Sequence, residues 1–429
     1  MNPNLPKSDK KRIVLIGGGF AGINFARNLK NSPYEVILLD RNNYHQFQPL
    51  LYQVSTSALE ANAISFPFRK IFQGYDQMHI RICEVEEIHP NENLVLTDIG
   101  PIAYDFLVIA TGTTNNFFGN TNIESKALSM KSVSEALLIR NTLLENLEQS
   151  LISEDPVEKE ELLNVVIVGG GPTGTEIAGN LAEMRNHILP KDYPELNFKD
   201  MKISLVEGSP YVLNSMTPDS KAKAQEYLEK MGVNTILNTH VKDYDGKQVL
   251  LDNGNTLPTR ALIWAAGVTG AKIKGFAPEV MGKGNRFLVD SHLKVKTLNN
   301  VFALGDIALV QSDSLPNGHP QLAAVAQQQG KYLSQYFKNL SKGKPSPDFS
   351  FINKGVMATV GRNKAVVELP FLNIHGFIAW VIWMVVHLIL TLGVKNRLII
   401  LINWFWAYLT FDQSLRLIIK PKNKLTSEA

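Results

Sequence analysis

RIVLIGGGFAG (residues 12–22) and LNVVIVGGGPTGTE (residues 163–176) place G-x-G-x-x-G directly after a run of β-branched and aliphatic residues, and each is answered about twenty to thirty residues later by an acid closing a second apolar run. In the first copy the glycines are Gly17, Gly19 and Gly22 and the acid is Asp40, at the end of EVILLD; in the second they are Gly169, Gly171 and Gly174, with Glu207 ending KISLVE. Such a turn lets a strand pass tightly into a helix and lets backbone N–H groups approach a pyrophosphate at the helix N-terminus, while the acid accepts from a ribose hydroxyl. Two copies in one chain predict two dinucleotides. The chemistry that joins two dinucleotides is hydride transfer between nicotinamide and flavin.

Working outward, residues 11–115 alternate β and α and end on DFLVIATG, which sets Ala110, Thr111 and Gly112 at a strand C-terminus, where open α/β sheets bind ligands. Residues 162–270 repeat the plan and end on ALIWAAGV. The run NVFALGDIA supplies a further strand before Gly305 and Asp306, so the chain is expected to return to its first domain, with the second inserted in it. The predicted fold class is α/β: two doubly wound Rossmann-type dinucleotide-binding domains plus a C-terminal apolar helical region that anchors the protein to a membrane. The expected boundaries are residues 11–115 and 290–345 for the outer dinucleotide-binding domain, 116–289 for the dinucleotide-binding domain inserted in it, and 346–429 for the membrane-association region.

That last region stands out by composition. GFIAWVIWMVVHLILTL (residues 376–392) and LIILINWFWAYLTF (residues 398–411) are too apolar for a solvated face, yet the first falls short of the roughly 20 residues that span a bilayer comfortably. Helical spacing puts Trp380, Trp383, His387 and Thr391 on one stripe, and Trp, Tyr and flanking basic groups favour the membrane interface. Lys395, Arg397, Arg416, Lys420, Lys422 and Lys424 outnumber Asp412 and Glu428, which suits anionic headgroups. The expectation is a monotopic attachment, or one short membrane helix, on the cytoplasmic face of the cell membrane.

The 429-residue chain carries a net charge of +3, too small to argue for nucleic acid. Its one cysteine, Cys83, excludes an intramolecular disulfide, a redox-active dithiol and a cysteine metal cluster, and no metal site is expected. The N-terminal MNPNLPKSDKKR lacks an apolar export core, so a reducing compartment containing NADH is expected.

Taken in order, GGGFAG, NNYHQFQPLLYQVSTSAL, DFLVIATGTTNNFFG, GGGPTGTEIAGNLAE, WAAGV, FALGDIA, NKGVMATVGRNKAV and NRLIILINWFWAYLTFDQSLRLI resemble the type II, non-proton-pumping NADH:quinone oxidoreductases over nearly the whole chain. The resemblance implies non-covalent FAD in the first site, contacting Gly17, Gly19, Phe20, Ala21, Gly22, Asp40, Arg41, Gln48, Val85, Ala110, Thr111, Gly112 and Asp306. It implies NADH in the second, contacting Gly169, Gly171, Pro172, Gly174, Glu207, Ala266 and Gly267. Glu207 is followed by Gly-Ser-Pro-Tyr with no basic residue to receive a 2′-phosphate, which favours NADH over NADPH.

The same resemblance gives two residues near the chemistry. Glu176, two residues past Gly174 and read as first-turn, would face the nicotinamide in an electrostatic and positional role; its bland alternative is a helix-end charge. Lys354 would lie on the quinone and flavin side, where a cation stabilises developing negative charge; its alternative is a surface lysine. The family often carries A-Q-x-A-x-Q near the quinone, and this chain reads Ala323-Ala324-Val325-Ala326-Gln327-Gln328, so Ala324 stands where the first glutamine would be. Ala324, Gln327 and Gln328 are the expected quinone contacts, with Gln328 alternatively a helix residue satisfied by backbone. His387 is read as packed or interfacial rather than as a proton donor. The implied reaction oxidises NADH and reduces a membrane quinone, ubiquinone or menaquinone, without moving protons across the membrane. The implied partners are lipid and a second copy of the chain. Two rivals stay open: a reductase of a soluble protein acceptor, and a non-catalytic nucleotide-binding redox sensor at a membrane.

Overall fold

The computed structural model describes residues 3–311, 315–412 and 415–419. The strands that matter run in chain order β1 (Lys11–Ile16), β2 (Tyr34–Asp40), β3 (Met78–Ile82), β4 (Phe106–Ile109), β5 (Leu128–Ser129), β6 (Val165–Val168), β7 (Ile203–Val206), β8 (Val233–Ile236), β9 (Ala261–Trp264), β10 (Val301–Ala303), β11 (Val356–Gly361), β12 (Lys364–Leu369) and β13 (Leu372–His375). The helices used below are α1 (Phe20–Asn28), α2 (Leu51–Ser55), α3 (Pro172–Glu183), α4 (Ala323–Leu340), α5 (Phe377–Leu390) and α6 (Val394–Thr410).

Contacts divide the chain into two units, Met1–Gln46 with Phe66–Thr114 and Val268–Asn353, and Phe47–Ser65 with Asn115–Gly267 and Lys354–Ala429. Each holds a five-stranded sheet of the same design, ordered β10-β4-β1-β2-β3 in the first and β5-β9-β6-β7-β8 in the second. Every neighbouring pair in both is parallel. Ile13, Val14 and Leu15 in β1 and all four residues of β6 are buried, as the unbroken apolar runs of doubly covered parallel strands require. β10 joins β4 in register Val301↔Leu107, so NVFALGDIA does carry the chain back into the first sheet.

Glycine sets two close helix contacts. A Cβ on Gly330 of α4 would sit 2.4 Å from the carbonyl oxygen of Ala21 in α1, and one on Gly179 of α3 would sit 1.6 Å from the carbonyl oxygen of Val360 in β11. Neither lies in the dinucleotide motifs. Both bring a helix backbone against its neighbour at a separation no side chain permits.

In the second unit β11, β12 and β13 form an antiparallel sheet, and Ala365 and Val367 of β12 pack on Ala379 of α5. The stripe expected to face the membrane interface instead points inward. Trp383 is 1 % exposed, His387 and Thr391 are buried, and Trp380 is partly covered by the ring of Tyr408 at 5.5 Å. Aromatic spacing marked the right stripe, but the same spacing serves a core face, and packing against the rings of Phe47, Tyr52 and Trp404 decided it. His387 is packed, its Nδ1–H donating to the Trp383 carbonyl at 2.8 Å and its ring stacked on the Trp383 ring.

Arg397, expected among the headgroup cations, caps α5 by donating to the carbonyls of Thr391 at 2.9 Å and Ile389 at 2.8 Å. Arg416 pairs with Asp192 and Asp412. Lys420, Lys422, Lys424 and Glu428 lie outside the described residues. Among the described residues no helix is long and apolar enough to cross a membrane, and α5, at about 21 Å, is shorter than the roughly 30 Å hydrocarbon layer.

Candidate functional site

The two glycine turns are built alike, each within its own unit. Gly17 (φ +98°) and Gly169 (φ +103°) take left-handed conformations, and a Cβ there would reach within 2.5 Å of Ala110 and 2.8 Å of Ala265 respectively. Gly22 and Gly174 let α1 and α3 rest on the turns, since their Cβ atoms would overlap the carbonyl oxygens of Gly17 and Gly169. Gly19 and Gly171 differ: each is the N-cap of its helix, without a side-chain cap, and a Cβ there meets no protein atom within 4 Å. Open space in front of uncapped helix N–H groups is the cradle a pyrophosphate fills. Phe20, Ala21 and Pro172 are the residues that begin these helices.

The closing acids are matched too. Asp40 accepts from the N–H of Gly18 at 2.7 Å and, through its other oxygen, from Asn42 at 2.8 Å. Glu207 accepts from the N–H of Gly170 through one oxygen and from the N–H and hydroxyl of Ser209 through the other, at 2.7 and 2.6 Å. Each carboxylate is thus fixed to its turn while keeping lone pairs for a further donor. Burial pushes the Asp40 carboxyl above the usual carboxylate range, and the N–H groups of Asn42 and Gly18 pull it partly back.

In the first unit Thr111 and Gly112 follow β4. Gly112 (φ +65°) has open space where a Cβ would be, and the Thr111 hydroxyl is buried with no protein partner. A buried hydroxyl without a partner beside an open glycine cradle fits a bound polar group, so the residues present suit FAD. Asp306 lies in the short helical turn Gly305–Ile307, whose first N–H donates at 2.6 Å to the Gln329 side chain, a fully buried residue of α4 that the motifs do not single out. His45 is another such residue. It is buried with its pKa lowered to about 4 by desolvation, so its Nδ1–H donates to the Gly18 carbonyl at 2.9 Å and its ring meets Phe20 edge-on. Arg41 is exposed, 3.6 Å from Glu84, and Val85 is half-buried at the start of the strand Val85–His89. In the second unit Gln48 reaches the Lys131 carbonyl at 3.4 Å, and Ala266 and Gly267 (φ +71°) follow β9.

Ala324, Gln327 and Gln328 lie on the first turns of α4. Gln328 grips the backbone of Ile352, donating to its carbonyl at 2.9 Å and accepting from its N–H at 3.0 Å. Its second N–H remains for another acceptor. Lys354 is exposed, ahead of β11.

Glu176 is the fifth residue of α3, not a first-turn residue, and no acid occupies that first turn. This removes the helix-end charge as an account of it. It is 9 % exposed and its carboxyl is pushed up to about 8, by burial first and against the opposing pull of the Thr359 N–H and the Trp383 indole. It lines a cavity with Tyr52, Gln53, Trp383, Trp404 and Arg362. Gln53 is held in place by the Trp404 indole, which donates to it at 2.7 Å. A carboxyl so placed is protonated at neutral pH. It is neutral there rather than negatively charged.

Two dinucleotide cradles on a duplicated sheet define a flavoprotein oxidoreductase that uses a pyridine nucleotide. Residues 11–330 match the family described as pyridine nucleotide-disulphide oxidoreductase, and residues 353–410 match the NDH2 C-terminal domain. The chain belongs to the type II NADH:quinone oxidoreductases. Two such enzymes of Mycobacterium tuberculosis are 33% and 31% identical to it, over 92% and 95% of this chain and 86% and 90% of their own. The fold is also that of Plasmodium falciparum NDH2 solved with NADH, at a TM-score of 0.88 and 24% identity over 96% of this chain and all of that one.

Proposed function

We propose that this protein oxidises NADH and reduces a membrane quinone by two electrons, without moving protons across the membrane. The observation that carries the reading is the pair of open, uncapped helix N-termini at Gly19 and Gly171, each beside a carboxylate fixed to its glycine turn. FAD, bound non-covalently in the first cradle, supplies the relay between a two-electron hydride donor and the quinone. The chain binds and orients. Gly17, Gly19 and Gly22 receive one pyrophosphate at the N-terminus of α1, with Asp40 on the adjoining ribose, and Arg41, Gln48, Val85, Thr111 and Asp306 complete that site. Gly169, Gly171 and Gly174 receive the pyrophosphate of NADH, and Glu207 takes its ribose and repels a 2′-phosphate. Glu176 faces the nicotinamide as a protonated, neutral group. Lys354 stabilises charge developing on the quinone side, and Ala324, Gln327 and Gln328 border the quinone.

The apolar face of α5 and α6 supports attachment from one side of the cytoplasmic membrane face. Ile378, Val385 and Ile389 on α5, and Leu398, Leu401, Ile402, Phe405 and Leu409 on α6, all lie about half-exposed or more and recur at helical spacing. Such a stripe on helices too short to span suits a monotopic position. The deciding experiment measures NADH-dependent reduction of a ubiquinone and a menaquinone analogue side by side in detergent. Quinol formation is expected, with flavin released by acid precipitation. Failure with both quinones together with turnover of an iron–sulfur protein would favour the soluble-acceptor reductase, and absence of NADH bleaching would favour the sensor. Sedimentation with vesicles and size exclusion in detergent separate lipid from a second copy of the chain as the cover of this face.

A further inference from the structure

α3 ends at Glu183 and runs on as a π-helical turn, Met184–Ile188, a local form often found at functional sites. Its last residue and His187 of the π turn meet the tight turn between β11 and β12, where Asn363 takes a left-handed conformation (φ +61°) between Arg362 and Lys364. With Phe411, just past the end of α6, these residues line an open cavity of about 240 Å³, built wholly within the second unit. His187, Asn363 and Lys364 lie outside the lining of the cavity around Glu176, so the chemistry there gives them no task.

The cavity carries both signs of charge. Its arginine is held rigidly: the rings of Tyr408 and Phe411 lie 4.1 and 3.8 Å from the Arg362 guanidinium carbon, Nη2 donates to the Tyr408 carbonyl, and Nη1 is left buried without a partner. Half-buried Lys364 adds a second cation. Their field reaches His187, whose pKa is held below its ordinary value by burial first and then by the charges of Arg362, Lys364 and Lys191. Against them stands Glu183, one of whose oxygens accepts from the Arg362 backbone N–H while the other remains for a donor. Burial raises its carboxyl, against the pull of that N–H and of the Lys364 and Arg362 charges, and a cation seated beside it would favour the charged form further. The Asn363 amide oxygen is buried with no protein partner. Such a group calls for a partner from outside the chain.

Two cations suit a phosphodiester, and a carboxylate beside an amide oxygen suits a primary ammonium. One headgroup carries both, two carbons apart. α6 supplies the reason that its source is a lipid: the exposed apolar residues Leu398, Leu401, Ile402, Phe405 and Leu409 end two residues before Phe411, so a molecule whose chains lie along that stripe brings its polar end to the cavity. We propose that this cavity is a headgroup site for an ethanolamine phospholipid, in which Arg362 and Lys364 clamp the phosphodiester and Glu183 and the Asn363 amide oxygen receive the ammonium. The inference rests on attachment of this face to a lipid surface, and the test separates the two.

The full-length holoenzyme is sedimented with phosphatidylcholine vesicles, plain or containing an equal mole fraction of phosphatidylethanolamine or phosphatidylglycerol. Choline has the same phosphodiester but no N–H to donate, so wild type should bind the ethanolamine vesicles about tenfold more tightly than the plain ones. Asn363→Gly, which keeps the left-handed turn and removes the amide, should erase most of that preference. Lys364→Gln should weaken binding to both vesicles by several fold. Flavin bleaching by NADH should stay within about twofold in both variants, showing that the fold is kept. Soluble glycerophosphoethanolamine should compete with the ethanolamine vesicles, and inorganic phosphate should compete far less. Equal wild-type binding to choline and ethanolamine vesicles would overturn the proposal. So would a preference that both variants retain, tighter binding to phosphatidylglycerol than to phosphatidylethanolamine, or equal competition by inorganic phosphate. A wild-type enzyme that sediments with none of the vesicles would instead overturn the reading of lipid attachment.

Discussion

Asp40 and Glu207 do the same work with side chains one methylene apart, each tying a carboxylate to the middle glycine of its turn. Because Ser209 and Gly170 hold Glu207 in place, its charge is aimed rather than mobile. Glu207→Gln should therefore narrow the preference for NADH over NADPH by about tenfold, corresponding to roughly 1.4 kcal/mol. Steady-state kinetics with both nucleotides check this, and a native enzyme that already uses NADPH equally would sink it. Glu176 carries a pH signature. Its carboxyl titrates at about 8 in the folded chain and near 4.5 when unfolded. The folded protein thus holds a proton across that interval, and the associated stability is complete below about 4.5 and drains away as pH rises through about 8. Each unit is worth about 1.4 kcal/mol, so the loss amounts to a few kcal/mol. Thermal melts from pH 5 to 9 should show the wild type losing stability relative to Glu176→Gln, whereas parallel curves would contradict the raised value. Glu176→Ala should also keep its flavin while slowing reduction by NADH or weakening NADH binding in stopped-flow measurements.

At the scale of elements, α3 carries binding at one end and packing in its middle, and two of its glycines separate these tasks. Gly171→Ala adds a methyl group where no protein atom lies within 4 Å. Its melting temperature should hold, while KM for NADH rises about tenfold as the methyl group intrudes on the pyrophosphate. Gly179→Ala drives a Cβ into the Val360 backbone and has no flexible neighbour to yield. It should cost about 3 kcal/mol or more in denaturant unfolding. Equal effects of the two changes on stability would show that α3 does not divide in this way.

The whole molecule presents its apolar tail in two directions at once. The inward face of α5 supplies Trp383 to the cavity around Glu176, and the outward face of α6 leaves Ile402 63% and Phe405 62% exposed. Deleting the chain from Gly376 would therefore strip the core along with the docking surface, and charge reversal is the cleaner probe. The double change Ile402→Glu and Phe405→Glu, on the exposed face alone, should release the protein from anionic vesicles. Turnover with a short-chain quinone should remain within about twofold, and turnover with a long-chain quinone should drop about tenfold, since burial of apolar surface is roughly 25 cal/mol per Å². Undiminished sedimentation with vesicles would move the attachment elsewhere.

What the sequence determined by itself was whatever is local and repetitive. Gly17, Gly19, Gly22 and Asp40, and their counterparts Gly169, Gly171, Gly174 and Glu207, are legible because a strand-turn-helix needs glycine at set spacings whatever surrounds it. The apolar runs of β1 and β6 are legible because parallel strands are covered on both faces. Tertiary structure alone decided which face of an apolar helix turns inward. Trp383 and His387 share a stripe that would suit lipid as well as a core, and only the rings of Phe47, Tyr52 and Trp404, brought against them by folding, make it a core. It also decided the setting of Glu176. Its place after Gly174 was plain, but its protonation depends on burial by α2, α5, α6 and β11, segments distant in sequence. Gln329 and His45 were illegible for the same reason: their partners, the Gly305 N–H and the Gly18 carbonyl, are brought to them by folding, and no spacing along the chain records that.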